Sequence, residues 1–462
     1  MERTSLVILT PFLDDYDVIV YQGDCIKVMA QMPEASVDAI VTDPPYGIGF
    51  MGKEWDVMKG DPRSWADMGG PTGKRHTGGD GSSDAGGAMK AGLYDLTPVG
   101  MNRFQVWTEA WAREAFRILK PGGHLLAFAG TRTYHRMASG VEDAGFEIRD
   151  CIAWMYGSGF PKSKNVALAI DKGEGYPNRG RAIPTASSYQ ATDKDKANKL
   201  ESNPVGEYNP NTPEAAKWNG WGTALKPAYE PIVVARKPLI GTVAANVLEH
   251  GTGALNIDAC RIGVTDEAYA QNFSGTRGHD QNRTRAAEYG ITAGTTPASG
   301  RWPANVALDE TAAAILDAQS GWQKDGTAVQ RNLPDTGSQL GSVPVKPPTQ
   351  RADDVTYGGG GGASRFFYTA KASRHDRNAG GLADNTHPTV KPTELMRWLI
   401  RLVTPPDGII LDPFGGSGST GLAARAENVR CILIEREPEY LNIIRDRLAQ
   451  LSLFAIPDED AA

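Results

Sequence analysis

Two stretches of the chain alternate short apolar runs with helical periodicity, and a long polar stretch separates them. On the N-terminal side, apolar runs near 18–21, 38–42, 123–129 and 147–154 predict strands, and 3.6-residue spacing predicts helices near 104–119 and 132–144. "EAFRILKPGGHLLAFAG" shows the pattern: a helix stopped by Pro121-Gly122-Gly123, then a buried strand. On the C-terminal side, "TELMRWLIRLV" puts Met396, Leu399, Ile400 and Val403 on one helical face ahead of the strand "GIILD". A second unit follows, with "GSTGLAARAEN" as helix and "VRCILIE" as strand. "PEYLNIIRDRLAQL" is then a helix aligning Leu441, Ile444, Leu448 and Leu451 behind Pro438. This alternation predicts an α/β fold built on a doubly wound, mostly parallel sheet.

Between 157 and 385 the pattern lapses into a polar run rich in Gly, Asn, Thr and Pro, broken by apolar islands such as "YEPIVVARKP" and "RWPANVALDE". A loop-rich inserted region is expected there. The chain then divides into segments 1–156, 157–385 and 386–462. The glycine-dense stretches 60–100 and 357–364 read as loops or insertions.

Composition narrows the function classes. With 462 residues and 40% hydrophobic content, the chain supports a substantial core in two or three units. A net charge of -7 gives no global footprint for a polyanion, so any nucleic-acid contact must be a local patch. Cys25, Cys151, Cys260 and Cys431 lie far apart without a CxxC pair, which favours a reduced, cytoplasmic compartment and no metal. No apolar run reaches 18 residues, so neither export nor membrane insertion is expected.

Two motifs carry candidate chemistry. "ILDPFGGSGSTGLAA", 410–424, is a buried strand, an acid, a glycine turn and a helix start, the layout in which backbone N–H groups approach a ligand closely. Gly416, Gly418 and Gly421 satisfy GxGxxG, and Glu435 ends the next strand where an acid would bind ribose hydroxyls. NAD and S-adenosylmethionine both carry adenosine, and a turn without ligand has the same look. The loop does not choose between them.

Asp43-Pro44-Pro45-Tyr46, at the end of the apolar run before it, is more specific. Consecutive prolines fix φ and remove two donors, giving a stiff exit from the strand. An exocyclic amine is a poor nucleophile because its lone pair is delocalised into the ring. The Asp43 carboxylate and the Pro44 carbonyl are suited to take its two hydrogens, and Tyr46 offers a face to a base withdrawn from its stack. A turn that merely caps a strand is the plain alternative.

"TDPPYG", "DPFGGSGSTG" and "HPTVKP" together resemble the motif set of the DNA amino-methyltransferases that act on adenine N6 or cytosine N4, in the order of the beta group. The resemblance covers 18–156 and 385–450 and implies a Rossmann-like methyltransferase fold with S-adenosylmethionine as methyl donor. It implies that Asp43, Pro44, Pro45 and Tyr46 are catalytic. It places Asp24, His387, Thr389, Lys391, Asp412, Phe414, Gly416, Gly418 and Glu435 around the cofactor. Glu435-Arg436-Glu437 departs from the family in its last two residues and leaves the ribose acid in place. "CIAWMYGSGFPKSKN" resembles the segment housing the flipped base, which offers Trp154 or Tyr156 for stacking, with core packing as the competing role.

For phosphate contact, "SRFFYTAKASRHDRN" supplies Arg365, Lys371, Arg374 and Arg377 among aromatics, with a solvated loop as the alternative. Lys162 and Lys164 are further candidates, and Lys226, Arg236 and Lys237 weaker ones. In the family that the chain resembles, the acid form of the turn is commoner for adenine, so the resemblance implies adenine N6 over cytosine N4. The expected partner is double-stranded DNA; a homodimer and an associated restriction endonuclease are compatible with it. The rivals are an NAD-dependent oxidoreductase, which leaves the proline turn unexplained, and an inactive DNA-binding scaffold.

Overall fold

A computed structural model describes residues 10–47, 96–159, 163–173, 208–263, 301–324, 327–328, 355–356, 360–370 and 390–454. Its strands, in chain order, are β1 (Leu13–Asp15), β2 (Val18–Gln22), β3 (Val37–Thr42), β4 (Leu119–Phe128), β5 (Glu147–Met155), β6 (Tyr229–Arg236) and β7 (Val306–Asp309). Four two-residue strands follow, β8 (Gln323–Lys324), β9 (Thr327–Ala328), β10 (Val355–Thr356) and β11 (Gly360–Gly361). The last three are β12 (Tyr368–Ala370), β13 (Ile409–Asp412) and β14 (Arg430–Glu435). Ten of them form one sheet in the order β1-β2-β14-β13-β3-β4-β6-β5-β7-β12.

The C-terminal pair β14 and β13 lies between the N-terminal strands β2 and β3, and all four run parallel. β6 is reversed against β4, and an Arg236–Glu147 ion pair of 2.7 Å ties its end to the start of β5. The structure therefore returns part of the polar middle region to the sheet: 229–236, 306–309 and 368–370 are strands in it. Residues Tyr156–Tyr229 form a compact unit of their own. Its described part is organised by Asp171, which accepts from Tyr208 Oη, from Asn211 and from Thr212.

Both sheet faces are buried, as parallel strands covered by crossovers require. On one face Val37, Ile40, Leu125 and Ala127 pack under helices α1 (Cys25–Met29), α2 (Pro98–Ile118) and α3 (Tyr134–Asp143). On the other, Ala39, Val41, Leu126 and Phe128 meet the helices Thr393–Val403, Ser419–Ala426 and Pro438–Phe454. The sidedness of β3 switches between Val37 and Ala39, where its register against β4 shifts.

The helix predicted near 104–119 is α2, which begins earlier, at Pro98, and ends at Ile118; the strand expected from 123 begins at Leu119, so Pro121, Gly122 and Gly123 lie within β4. Lys237 Nζ closes the helix end. It donates to the carbonyls of Phe116 and Leu119 at 2.7 and 2.8 Å, satisfying groups that a helix end leaves without partners. Arg236 and Lys237 are thus spent on the fold rather than offered as a basic surface. No helix among the described residues is long and apolar enough to cross a membrane.

Trp111 on α2 is fully buried and meets Phe414, in the turn after β13, edge-on at 5.5 Å. Replacing it with Ala should cost about 3–5 kcal/mol through lost burial and the cavity left behind. Urea unfolding curves of Trp111→Ala and the parent chain check this.

Candidate active site

Four neighbouring strands end along one edge of the sheet, and each delivers a candidate group. β2 leads through Gly23 to Asp24, whose carboxylate caps α1 by accepting from Lys27 N at 3.2 Å. β14 ends in Glu435, paired with Gln22, and its carbonyl accepts from Gly23 N at 3.0 Å. β13 ends in Asp412 and the glycine turn, and β3 ends in the acid-proline-proline-tyrosine turn. Parallel pairing of Leu411 with Ile40 sets the last two side by side. The two motifs, 370 residues apart in sequence, meet here.

The glycine turn runs through left-handed conformations at Gly416 (φ +52°) and Gly418 (φ +82°), which side chains disfavour. A Cβ on Gly418 would also come within 3.2 Å of Ile444. Glu435 grips the turn, accepting from Gly416 N at 2.7 Å through one oxygen and from Glu437 N at 2.7 Å through the other. Burial raises its carboxyl to about 7 despite those two donors. Phe414 packs against Trp107 and Trp111 at ring distances of 5.6 and 5.5 Å.

Asp412 faces inward. Its carboxylate accepts from Thr42 Oγ1 at 2.6 Å, Thr420 Oγ1 at 2.5 Å and Phe414 N at 3.0 Å. Burial raises its carboxyl to about 6, with the three donors acting against that. Because Thr42 directly precedes Asp43, this carboxylate bonds the Asp43 turn to the glycine turn.

At the end of β3, Asp43 and Tyr46 join two residues from distant segments. Lys391 Nζ lies 2.8 Å from Asp43 Oδ2, 3.0 Å from Glu230 Oε2 and 3.2 Å from Tyr46 Oη. Tyr46 Oη is 3.0 Å from Asp43 Oδ1 and 2.9 Å from Glu230 Oε2. Burial alone would lower the Lys391 pKa, but the two carboxylates hold the ammonium well above its ordinary range. Burial, then Asp43 and Glu230, push the Tyr46 hydroxyl well above its usual value as well. The ring of Phe128 lies beneath Lys391, 4.8 Å from Nζ.

Lys391, implied by resemblance to line the cofactor, thus reaches the Asp43 turn. Trp154 packs edge-on against Phe128 at 6.3 Å, behind that lysine. Tyr156 and the exposed Lys164 belong to the separate unit. Arg365 lies ahead of β12, at the amino ends of the parallel strands and so on the edge away from the Asp43 turn. It stacks over Phe366 at 4.5 Å and donates to the carbonyls of Gly361 and Gly362. His387, Thr389, Lys162, Lys371, Arg374 and Arg377 lie outside the described residues.

Two residues escaped the sequence reading. Glu230 heads the apolar run "PIVVA", and an acid leading a buried strand was its signal. Arg447, fully buried, donates to the Ser417 carbonyl at 2.5 Å and to the Ser417 and Ser419 hydroxyls, bracing the glycine turn from behind. A charge three residues past Ile444 on the apolar stripe of its helix was the mark.

A family model described as DNA methylase matches residues 37–446, and the chain belongs to that family. Among its relatives is the type II methyltransferase M.HindIII of Haemophilus influenzae, 26% identical over 240 residues, or 51% of this chain and 64% of the relative. Another is the type II methyltransferase M.XycI of Xanthomonas campestris pv. cyanopsidis, 37% identical over 99 residues, or 19% of this chain and 33% of the relative. The chain thus spans less than two thirds of either relative. A solved structure of the PvuII DNA methyltransferase (cytosine-N4-specific) aligns over 95% of this chain and 88% of its own, at 13% identity and a TM-score of 0.40.

The raised Glu435 carboxyl has a signed consequence. Between its unfolded value of 4.5 and about 7, the folded protein holds the proton that the unfolded chain has released, so stability falls as pH rises through that window. Glu435→Gln removes this term. Its stability relative to the parent should grow from pH 4.5 to about 7 and then level off, as paired thermal melts across that range would record.

Proposed function

We propose that the chain transfers a methyl group from S-adenosylmethionine to the exocyclic amine of a DNA base, with adenine N6 as the target. One observation carries this reading: the glycine turn and the Asp43 turn leave adjacent parallel strands at the same edge, and Asp412 bonds one to the other. In doubly wound sheets, ligands bind beyond the carboxyl ends of the strands.

The residues present fit the donor. Positive-φ glycines permit close backbone approach at Gly416 and Gly418. The carboxylates of Asp24 and Glu435, ending neighbouring strands, are acceptors of the kind that adenosine hydroxyl and amine groups need. When bound, the donor supplies an electrophilic methyl group on a sulfonium.

The protein's own part is positioning. The base leaves its stack, and its amine meets Asp43 and the carbonyl of Pro44, each suited to accept one N–H. Drawing both hydrogens from the ring plane frees the nitrogen lone pair for attack. Pro44 and Pro45 stiffen this acceptor pair, so little conformational entropy is lost on engagement. Lys391 and Tyr46 lock the Asp43 carboxylate by one contact to each oxygen. The acidic lead of the turn supports adenine, and cytosine N4 is the alternative. Sequence choice falls to the inserted region, of which Tyr156–Tyr229 is one compact unit.

Incubating duplex DNA with the chain and labelled donor, then digesting it to nucleosides for mass identification, is expected to yield N6-methyladenine. N4-methylcytosine would transfer the reading to the other base, and absence of any methylated nucleoside would refute it. Asp43→Ala should bind the donor as the parent does, by calorimetry, while methyl incorporation drops by at least about a hundredfold.

A further inference from the structure

The cluster at the end of β3 is one proton short. The three ammonium hydrogens of Lys391 match three acceptors, Asp43 Oδ2, Glu230 Oε2 and Tyr46 Oη. Tyr46 has one hydroxyl proton but stands within 3.0 Å of Asp43 Oδ1 and within 2.9 Å of Glu230 Oε2. One of these oxygen pairs therefore lacks a hydrogen between its members when both acids are ionised. The chain of oxygens Asp43–Tyr46–Glu230 has a place for one further proton. Its two ends differ in setting. Asp43 belongs to the turn that meets the amine in the reading above, whereas Glu230 arrives on the reversed strand β6; their side chains are 19% and 22% exposed, so Glu230 too touches water.

Methylating an amine releases one proton. We propose, resting on the methyl-transfer reading above, that Glu230 is the terminal acceptor of that proton, reached through the Tyr46 hydroxyl. As the nitrogen lone pair forms the N–C bond, the electron pair of the breaking S–C bond stays on sulfur, and the nitrogen gives an N–H proton to Asp43. Asp43 passes a proton to the Tyr46 oxygen while the Tyr46 proton moves to Glu230. Asp43 is again a carboxylate and Tyr46 a hydroxyl, and Glu230, now neutral, releases the proton to water. Lys391 stays protonated throughout and fixes the three oxygens by one contact to each. Glu230 touches neither base nor donor in this scheme; it acts through Tyr46.

Single-turnover reactions on duplex DNA in weak buffer, with quenched samples for methyl transfer and a pH indicator for proton release, test the relay. In the parent chain the proton should reach solution after the methyl group has moved. In Glu230→Gln the two should coincide, with methyl transfer slowed by about tenfold or more, and binding of S-adenosylhomocysteine should remain unchanged. A delay of equal length in both chains, or none in the parent, would overturn the relay. Absence of methyl transfer in the parent would instead overturn the reading beneath it. Should Glu230→Gln not fold by circular dichroism, Tyr46→Phe decides the matter: it removes the bridging hydroxyl and must also abolish the delay.

Discussion

A carboxylate withdrawn from water destabilises the fold unless its lone pairs are met by donors. Asp412 meets that demand with Thr42, Thr420 and the amide of Phe414, which come from the end of β3, the start of the helix Ser419–Ala426 and the glycine turn itself. Displacing either turn strands a buried acid. The requirement is local, yet it fixes the distance between the Asp43 turn and the glycine turn. The other features of this edge, from the grip of Glu435 on Gly416 to the brace of Arg447, refine a placement that Asp412 already dictates.

The second cluster obeys a different rule. Two carboxylates, an ammonium and a phenol share a small volume, and the ammonium offsets the mutual repulsion of the acids. Lys391 reaches them from just ahead of the helix Thr393–Val403, with its stem buried and Phe128 beneath its head. An aromatic face under a cation adds attraction without adding a proton acceptor. The result is a rigid acid at Asp43 whose orientation is set by the fold itself.

Much of this was legible in the sequence because it is local. The strand that ends in Asp43 and the strand that ends in Asp412 announce themselves by apolar runs closed by prolines and glycines, and parallel pairing follows from helices between strands. Lys391 was visible as part of a motif, but its partner was not. Glu230 lies 184 residues from Tyr46, on a strand whose reversed direction no periodicity reveals, in a region whose polar composition hides three strands of the main sheet. The end of α2 was legible to within a residue, but the lysine that closes it, 118 residues away from Leu119, was not. Pattern reading captures what a segment wants for itself and misses what a distant side chain imposes.

The position of β13 and β14 also bears on how the chain is made. The strands that join β2 and β3 are made some 370 residues after β3, so the middle of the sheet stays open for roughly half a minute of synthesis. Through that interval β3 has β4 on one side and an unpaired edge of Ala39, Ile40 and Val41 on the other, the kind of surface that recruits foreign strands. A protein with this chain order is most vulnerable to aggregation while still tethered to the machine that makes it.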